Sequence, residues 1–215
     1  AQDAEGNDVE KFTFADFARD FAWSKVNPVG PIFDLKKLDW LNGVYIRDLE
    51  LTDFTSRLLP YLEREGVLSG APSLGELGRL KDVAALIQTR IVLLSEAVPL
   101  VLPFFVADDQ LLIEDDARAS LGADETEVLD ATIEVLSDID DHLASLVGGT
   151  DWNAANLEAR LRSALVEGLG KKARVAFGPI RVAVSGARIS PPLFESMEIL
   201  GKTSTLARLH ALRAT

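Results

Sequence analysis

Apolar residues recur at steps of three and four through most of this chain, and that period constrains the fold more than any other feature. Leu129, Ile133, Leu136, Ile139, Leu143 and Leu146 mark the clearest amphipathic helix, stopped by Gly148-Gly149. Leu77, Leu80, Ala84, Ile87, Ile91 and Leu94 repeat the pattern behind a Ser73/Glu76 capping box. Trp152, Leu157, Leu161 and Leu165 mark a third helix, with Thr150 as its expected cap. Strands would show alternation of period two, and the one candidate, Val44-Tyr45-Ile46, is too short to decide. The expectation is an all-α chain.

Punctuation divides that pattern. Thr13 with Asp16 caps a turn through Phe14, Phe17 and Phe21, and Asp34 caps a short helix expected to stop at Asn42-Gly43. A helix opening at Thr52 should close at Gly66, with Pro60 kinking or splitting it. Ser95-Glu96 and Pro99 predict a break followed by a short helix, and the acidic run Glu114-Asp115-Asp116 suits another helix start. After Gly170 come three pieces, near 171–184, 191–200 and 203–213. The boundaries predicted are a helical end of one domain over 1–48, then helical bundles over 49–123 and 124–215.

Composition excludes several classes. With no cysteine there is no disulfide, thiolate metal site or thiol nucleophile, which fits a reducing compartment. The longest apolar run, Ala97 to Ala107, is far short of the roughly 20 residues of a bilayer span, so it is expected in a core. A start at Ala1 without methionine points to a processed or truncated piece. The net charge of −12 argues against nucleic acid, but its distribution does not. Residues 151–215 hold 10 Lys/Arg against 5 Asp/Glu, whereas residues 1–150 hold 12 against 29. Either the basic end meets an anionic partner, or it is one mildly basic surface beside an acidic one.

No catalytic or metal constellation assembles. Asp138 and His142 stand one turn apart, but no Glu-x-x-His pair completes a bundle-type metal site. Gly75 and Gly78 lack the Gly-Lys-Ser/Thr of a phosphate loop, and no serine elbow occurs. The arginines carry more. Arg90 lies on or beside an apolar stripe, where it either snorkels and pairs with Asp82 or Glu96, or faces a ligand. Arg181 interrupts the apolar segment Ile180–Val184. Ser190-Pro191 is a good helix start, whose free N–H groups suit a phosphate or a base acceptor.

Two stretches resemble a family. Gly178-Pro179-Ile180-Arg181-Val182-Ala183-Val184-Ser185-Gly186 with Ser190-Pro191-Pro192-Leu193-Phe194-Glu195, and Phe33-Asp34-Leu35-Lys36-Lys37-Leu38-Asp39-Trp40-Leu41-Asn42-Gly43, resemble bacterial-type glutamyl-tRNA synthetases. The likeness is strong over 26–47 and 178–213 and weaker in the acidic middle. That family's Rossmann-type domain, with its His-Ile-Gly-His-like and Lys-Met-Ser-Lys-Ser-like motifs, has no counterpart here; Ser24-Lys25 is no substitute. The resemblance therefore implies the part that follows the active-site loop of a class I glutamate-tRNA ligase. It implies the helical end of a stem-contact domain and two anticodon-binding bundles of the α-helix cage type.

The same resemblance implies site residues. Gln88-Thr89-Arg90 is similar to the segment whose arginine reads the third anticodon base, a cytosine. Arg181 matches an arginine of the penultimate helical region. Ser190, Pro191 and Leu193 match a turn contacting the first two bases; Ser190 replaces a threonine of some relatives, and Pro192 a glycine. Lys171, Lys172, Arg174 and Lys202 are candidate contacts to the tRNA backbone. No catalytic residue, metal or cofactor is expected in this piece, with ATP and Mg belonging to the parent's catalytic domain. The expected partner is tRNA, of glutamate and also of glutamine isoacceptors if the parent is non-discriminating, with Arg90 favouring glutamate alone. Neither DNA nor a membrane is expected, and the chain is expected to be a cytoplasmic monomer. The competing reading is a helical protein-interaction scaffold without RNA binding, supported by the acidic first 150 residues.

Overall fold

The computed structural model describes residues 11–26, 30, 34–139 and 151–215, and among them every regular element is a helix. The short α1 (Phe14–Asp20) starts at the Thr13/Asp16 capping box, and its side chains are not buried. Helix α2 (Leu35–Asp48) starts where Asp34 accepts from the Lys37 N–H, at 3.1 Å. It does not stop at Asn42-Gly43. A Cβ on Gly43 would lie 2.8 Å from Val92 Cγ1, so this glycine permits a close helix–loop approach instead of terminating a helix. Val44-Tyr45-Ile46 is accordingly helical.

Helix α3 (Leu51–Arg64) begins one residue before Thr52, capped by Glu50 without a side-chain hydrogen bond. Pro60 neither splits nor ends it, and this residue lies on the exposed face, where water can satisfy the carbonyl left without a donor. Gly66 closes the helix at φ +71°, and the Val67 N–H returns to Leu62 O at 2.8 Å. Helix α4 (Leu74–Ile87) starts at the Ser73/Glu76 capping box. Its helical geometry ends at Ile87, so Ile91 and Leu94 lie beyond it. Short helical turns follow, Leu94–Glu96, α5 (Ala97–Val101) and Leu102–Phe104. Phe54, Leu58, Leu62, Leu80, Val83, Ile87, Ile91, Val101 and Phe104 form the first core. The apolar run 97–107 contributes to it through Ala97, Val101 and Phe104.

A second core gathers Leu129, Leu136, Trp152, Leu157, Leu161, Leu165, Ile180, Val184, Met197, Leu209 and Leu212. Its helices are α6 (Asp115–Ala119), α7 (Glu125–Ser137), α8 (Ala154–Leu161), α9 (Ala173–Ser185) and α10 (Leu193–Arg213). Asn153 caps α8 by accepting from the Asn156 N–H at 3.0 Å, and a π-helical turn over Arg162–Gly168 continues it. Trp152 Nε1 donates to Met197 O at 2.8 Å. Gly201, at φ 81° and ψ 166°, kinks α10 into the two pieces expected from sequence. Thr150, His142, Leu143, Leu146 and Gly148-Gly149 lie outside the described residues.

The two cores are joined. Leu200, just before the kink, packs against both of them. Arg208 of α10 is 3% exposed. Its guanidinium donates to Asp108 Oδ1 at 2.7 Å, Val184 O at 2.8 Å and Val106 O at 3.3 Å, tying the connecting segment to the second bundle. Glu114 N–H donates to Gly186 O at 2.8 Å, and a Cβ on Gly186 would lie 2.3 Å from Leu112 O. That backbone contact requires glycine on steric grounds, beyond its φ of +72°.

Candidate nucleic-acid interface

Two arginines of the basic end, Arg174 and Arg181, lie along α9. Arg174, Gly178 and Arg181 stand at i, i+4 and i+7, so they share one face of the helix. Gly178 leaves a gap between the two arginines, since a Cβ there would meet nothing within 4 Å. Beyond the left-handed stop at Gly186, the chain turns back and places Arg188 and the 83% exposed Ile189 on the same groove. Phe177 lines it too, packed edge-to-face on Phe194 with centroids 5.3 Å apart and with Arg162 over its ring. Asp116 of α6 also lines the groove, 3.9 Å from Arg188.

Arg181 is the most constrained of these cations. One guanidinium nitrogen donates to Ser190 Oγ at 2.6 Å and to Pro191 O at 3.2 Å. Burial lowers its pKa, and the neighbouring charge of Arg90 lowers it further, although a guanidinium stays protonated in water. The charge of Arg90, carried by the first bundle, is thus felt at Arg181 in the second. Among the described residues neither has a carboxylate ion pair. Cations left without a carboxylate partner attract an anion or a base acceptor.

Arg90 is not on the stripe of α4. It sits in the turn after that helix, exposed, with its N–H donating to Ile87 O at 2.8 Å. Pairing with Glu96 does not occur, because that carboxylate accepts from the N–H groups of Val92 and Leu93 at 2.9 and 3.2 Å. Gln88 is turned inward, donating to Ile46 O and Leu49 O.

Ser190 is not a helix cap. Its hydroxyl accepts from Arg181 and donates to Pro191 O, and α10 begins at Leu193 with Pro192 as a cap lacking a side-chain bond. Ser190, Pro191 and Leu193 are buried, with Leu193 in the second core. The basic candidates divide. Lys172 and Arg174 are exposed, Arg174 on the groove. Lys171 instead bridges Asp124 and Glu127 at 2.6 and 2.7 Å, and its pKa rises through the hydrogen bond to Asp124 first, then that to Glu127. Lys202 donates to Ser137 O and Ile139 O, satisfying carbonyls at the end of α7. The groove residue that sequence reasoning missed is Arg188. Its only signal was a lone arginine after the Gly186 stop, too little to single it out.

Among the described residues no cluster of His, Asp or Glu could hold a metal, and no helix is long and apolar enough to cross a membrane. A family model described as an anticodon binding domain matches residues 53–213. The glutamate–tRNA ligase of Acidothermus cellulolyticus is 43% identical over 206 residues, covering 95% of this chain and 39% of that protein. That of Kineococcus radiotolerans is 45% identical over 208 residues, covering 97% and 40%. The crystal structure of a glutamate tRNA ligase from Elizabethkingia meningosepticum, in complex with its amino acid, shares the fold with a TM-score of 0.75 at 17% identity. That match covers 99% of this chain and 38% of the other. The chain thus spans about two fifths of the length of these relatives. The matching family model runs from within α3 to the end of α10, taking in Arg90 and Arg181, and the chain belongs to the anticodon-binding domain family.

Proposed function

We propose that this chain is the anticodon-reading part of a class I glutamate–tRNA ligase, whose parent uses ATP and Mg in a catalytic domain to attach glutamate to tRNA. The observation that carries the reading is the α9 groove, lined by Arg174, Arg181 and Arg188, with the charge of Arg90 from the first bundle acting on Arg181. Splayed anticodon bases present Watson–Crick edges that such groups can read. Arg90, free in its turn, takes the third base. Arg181 serves the first two, oriented by its bonds to Ser190 Oγ and Pro191 O. Lys172, Arg174 and Arg188 flank the groove and would meet phosphates. In this reading residues 1–48 end a stem-contact domain, and 49–123 and 124–215 form the two anticodon-binding bundles. The partner is tRNA of glutamate, bound by a cytoplasmic monomer.

The test is binding of a glutamate-tRNA anticodon stem-loop against one with a scrambled anticodon, at low and moderate salt. The cognate loop should bind more tightly at both, and Arg181→Ala should change which anticodon is preferred, because base contacts specify while phosphate contacts position. Equal binding of both loops, unaffected by Arg181→Ala, would refute the reading.

A further inference from the structure

The turn that carries Arg90 is fastened at both ends to α2. On one side, Gln88 Nε2 donates to Ile46 O at 2.9 Å and to Leu49 O at 2.8 Å, closing the C-terminal carbonyls of that helix. On the other, Asn42 Nδ2 donates to Val92 O. Between them Val92 presses on Gly43 so closely that a methyl group there would lie 2.8 Å from its Cγ1. The Glu96 carboxylate stiffens the same stretch by accepting from the N–H groups of Val92 and Leu93. Among the described residues the Arg90 side chain has no such partner, so its direction is inherited from this backbone. Helix α2 lies outside residues 53–213, the extent of the family match.

We propose that Asn42, Gly43 and Gln88 are positioning residues for third-base discrimination: they fix the 88–93 turn against α2, so that Arg90 meets the base at hydrogen-bonding geometry. This rests on the anticodon reading above and deepens it. Selectivity at the third base then depends on an element preceding the matched bundles. A movement of α2 displaces Arg90 while leaving Arg181, fixed within the second bundle, where it is. The base-edge contact is sensitive to such a shift because bidentate hydrogen bonds weaken steeply with misalignment.

The experiment measures Kd of this chain for the cognate stem-loop and for one altered only at the third base, at a single salt concentration. Four proteins are compared: unaltered, Arg90→Gln, Gln88→Met and Gly43→Ala. Gln88→Met keeps length and loses both donors. Gly43→Ala keeps every donor and favours helix, but drives Val92 outward. The selectivity ratio should fall by about fivefold or more in Arg90→Gln, the lower end of what a bidentate base contact supplies. It should fall comparably in Gln88→Met and Gly43→Ala while far-ultraviolet circular dichroism stays unchanged. Gly43→Ala combined with Val92→Ala should restore it, because the methyl group regains its space. Gln88→Met added to Arg90→Gln should lower it no further, since both act through one contact.

Selectivity unchanged in Gly43→Ala and Gln88→Met, with Arg90→Gln reduced, overturns the positioning role and leaves the anticodon reading standing. Absence of third-base selectivity in the unaltered chain overturns both. If Gln88→Met fails to fold, the Gly43→Ala loss and its rescue by Val92→Ala decide alone, failure to rescue overturning the proposal.

Discussion

Replacing Arg208 by methionine probes the joint between the connecting segment and the second bundle. The residue is 3% exposed, and its three hydrogen bonds go to a carboxylate and two backbone carbonyls. Methionine retains the apolar stem and its packing, so the loss is mainly polar. Removing one partner of a fully buried ion pair costs about 3–5 kcal/mol. Asp108, however, has a side chain 31% exposed and regains water when its partner goes. The 3.3 Å bond to Val106 O is long and contributes little. Val184 O, in contrast, lies where water reaches poorly and loses its charged donor outright. The expected loss is therefore about 2–3 kcal/mol, or roughly 4–12 °C in Tm for a chain of this size. Urea unfolding followed by circular dichroism measures it. Asp108→Asn keeps an acceptor for the same nitrogen, loses only the charge, and should cost clearly less. A loss for Arg208→Met within about 0.5 kcal/mol, the range of ordinary surface substitutions, would refute the reasoning. An equal loss for Asp108→Asn would show that the ion pair, and not the bonds to the carbonyls, accounts for the effect.

The neighbouring lysines should separate by role. Lys172→Ala should weaken binding of every stem-loop about equally and reduce the salt slope by about one unit at most, whereas Lys171→Ala should leave that slope unchanged and lower stability, measured by filter binding and urea unfolding. Two glycines with the same backbone sign should also differ. Gly66→Ala meets open space and should cost about 1–2 kcal/mol for its left-handed φ, while Gly186→Ala adds a clash with Leu112 O and should cost more; equal midpoint shifts in urea would contradict the close approach.

What the sequence made legible was local. The capping boxes at Thr13/Asp16 and Ser73/Glu76 involve residues three apart, so their bonds can be read from the chain itself. The stop at Gly66 and the break near 201 are local in the same sense. Gly43 misled because its reason lies 49 residues away, in the side chain of Val92. Ser190-Pro191 carried a cap signature, but the Arg181 guanidinium claims the hydroxyl, and a charged donor outcompetes a backbone N–H. Lys171 and Lys202 looked like phosphate ligands because composition reports charge and not partners; Asp124, Glu127 and the α7 carbonyls engage them instead. That Arg90 and Arg181 approach each other could not be read from spacing, since it depends on how two bundles dock.

The docking has a consequence for synthesis. Ile199 and Leu200 pack against a first core whose other residues span Ile46 to Phe105. A chain made from its N-terminus therefore exposes part of that core's apolar surface until residue 200 has been added. The first bundle is thus begun first but closed only while α10 is being made, and a ribosome pausing between residues 123 and 199 would hold it in its stickiest state.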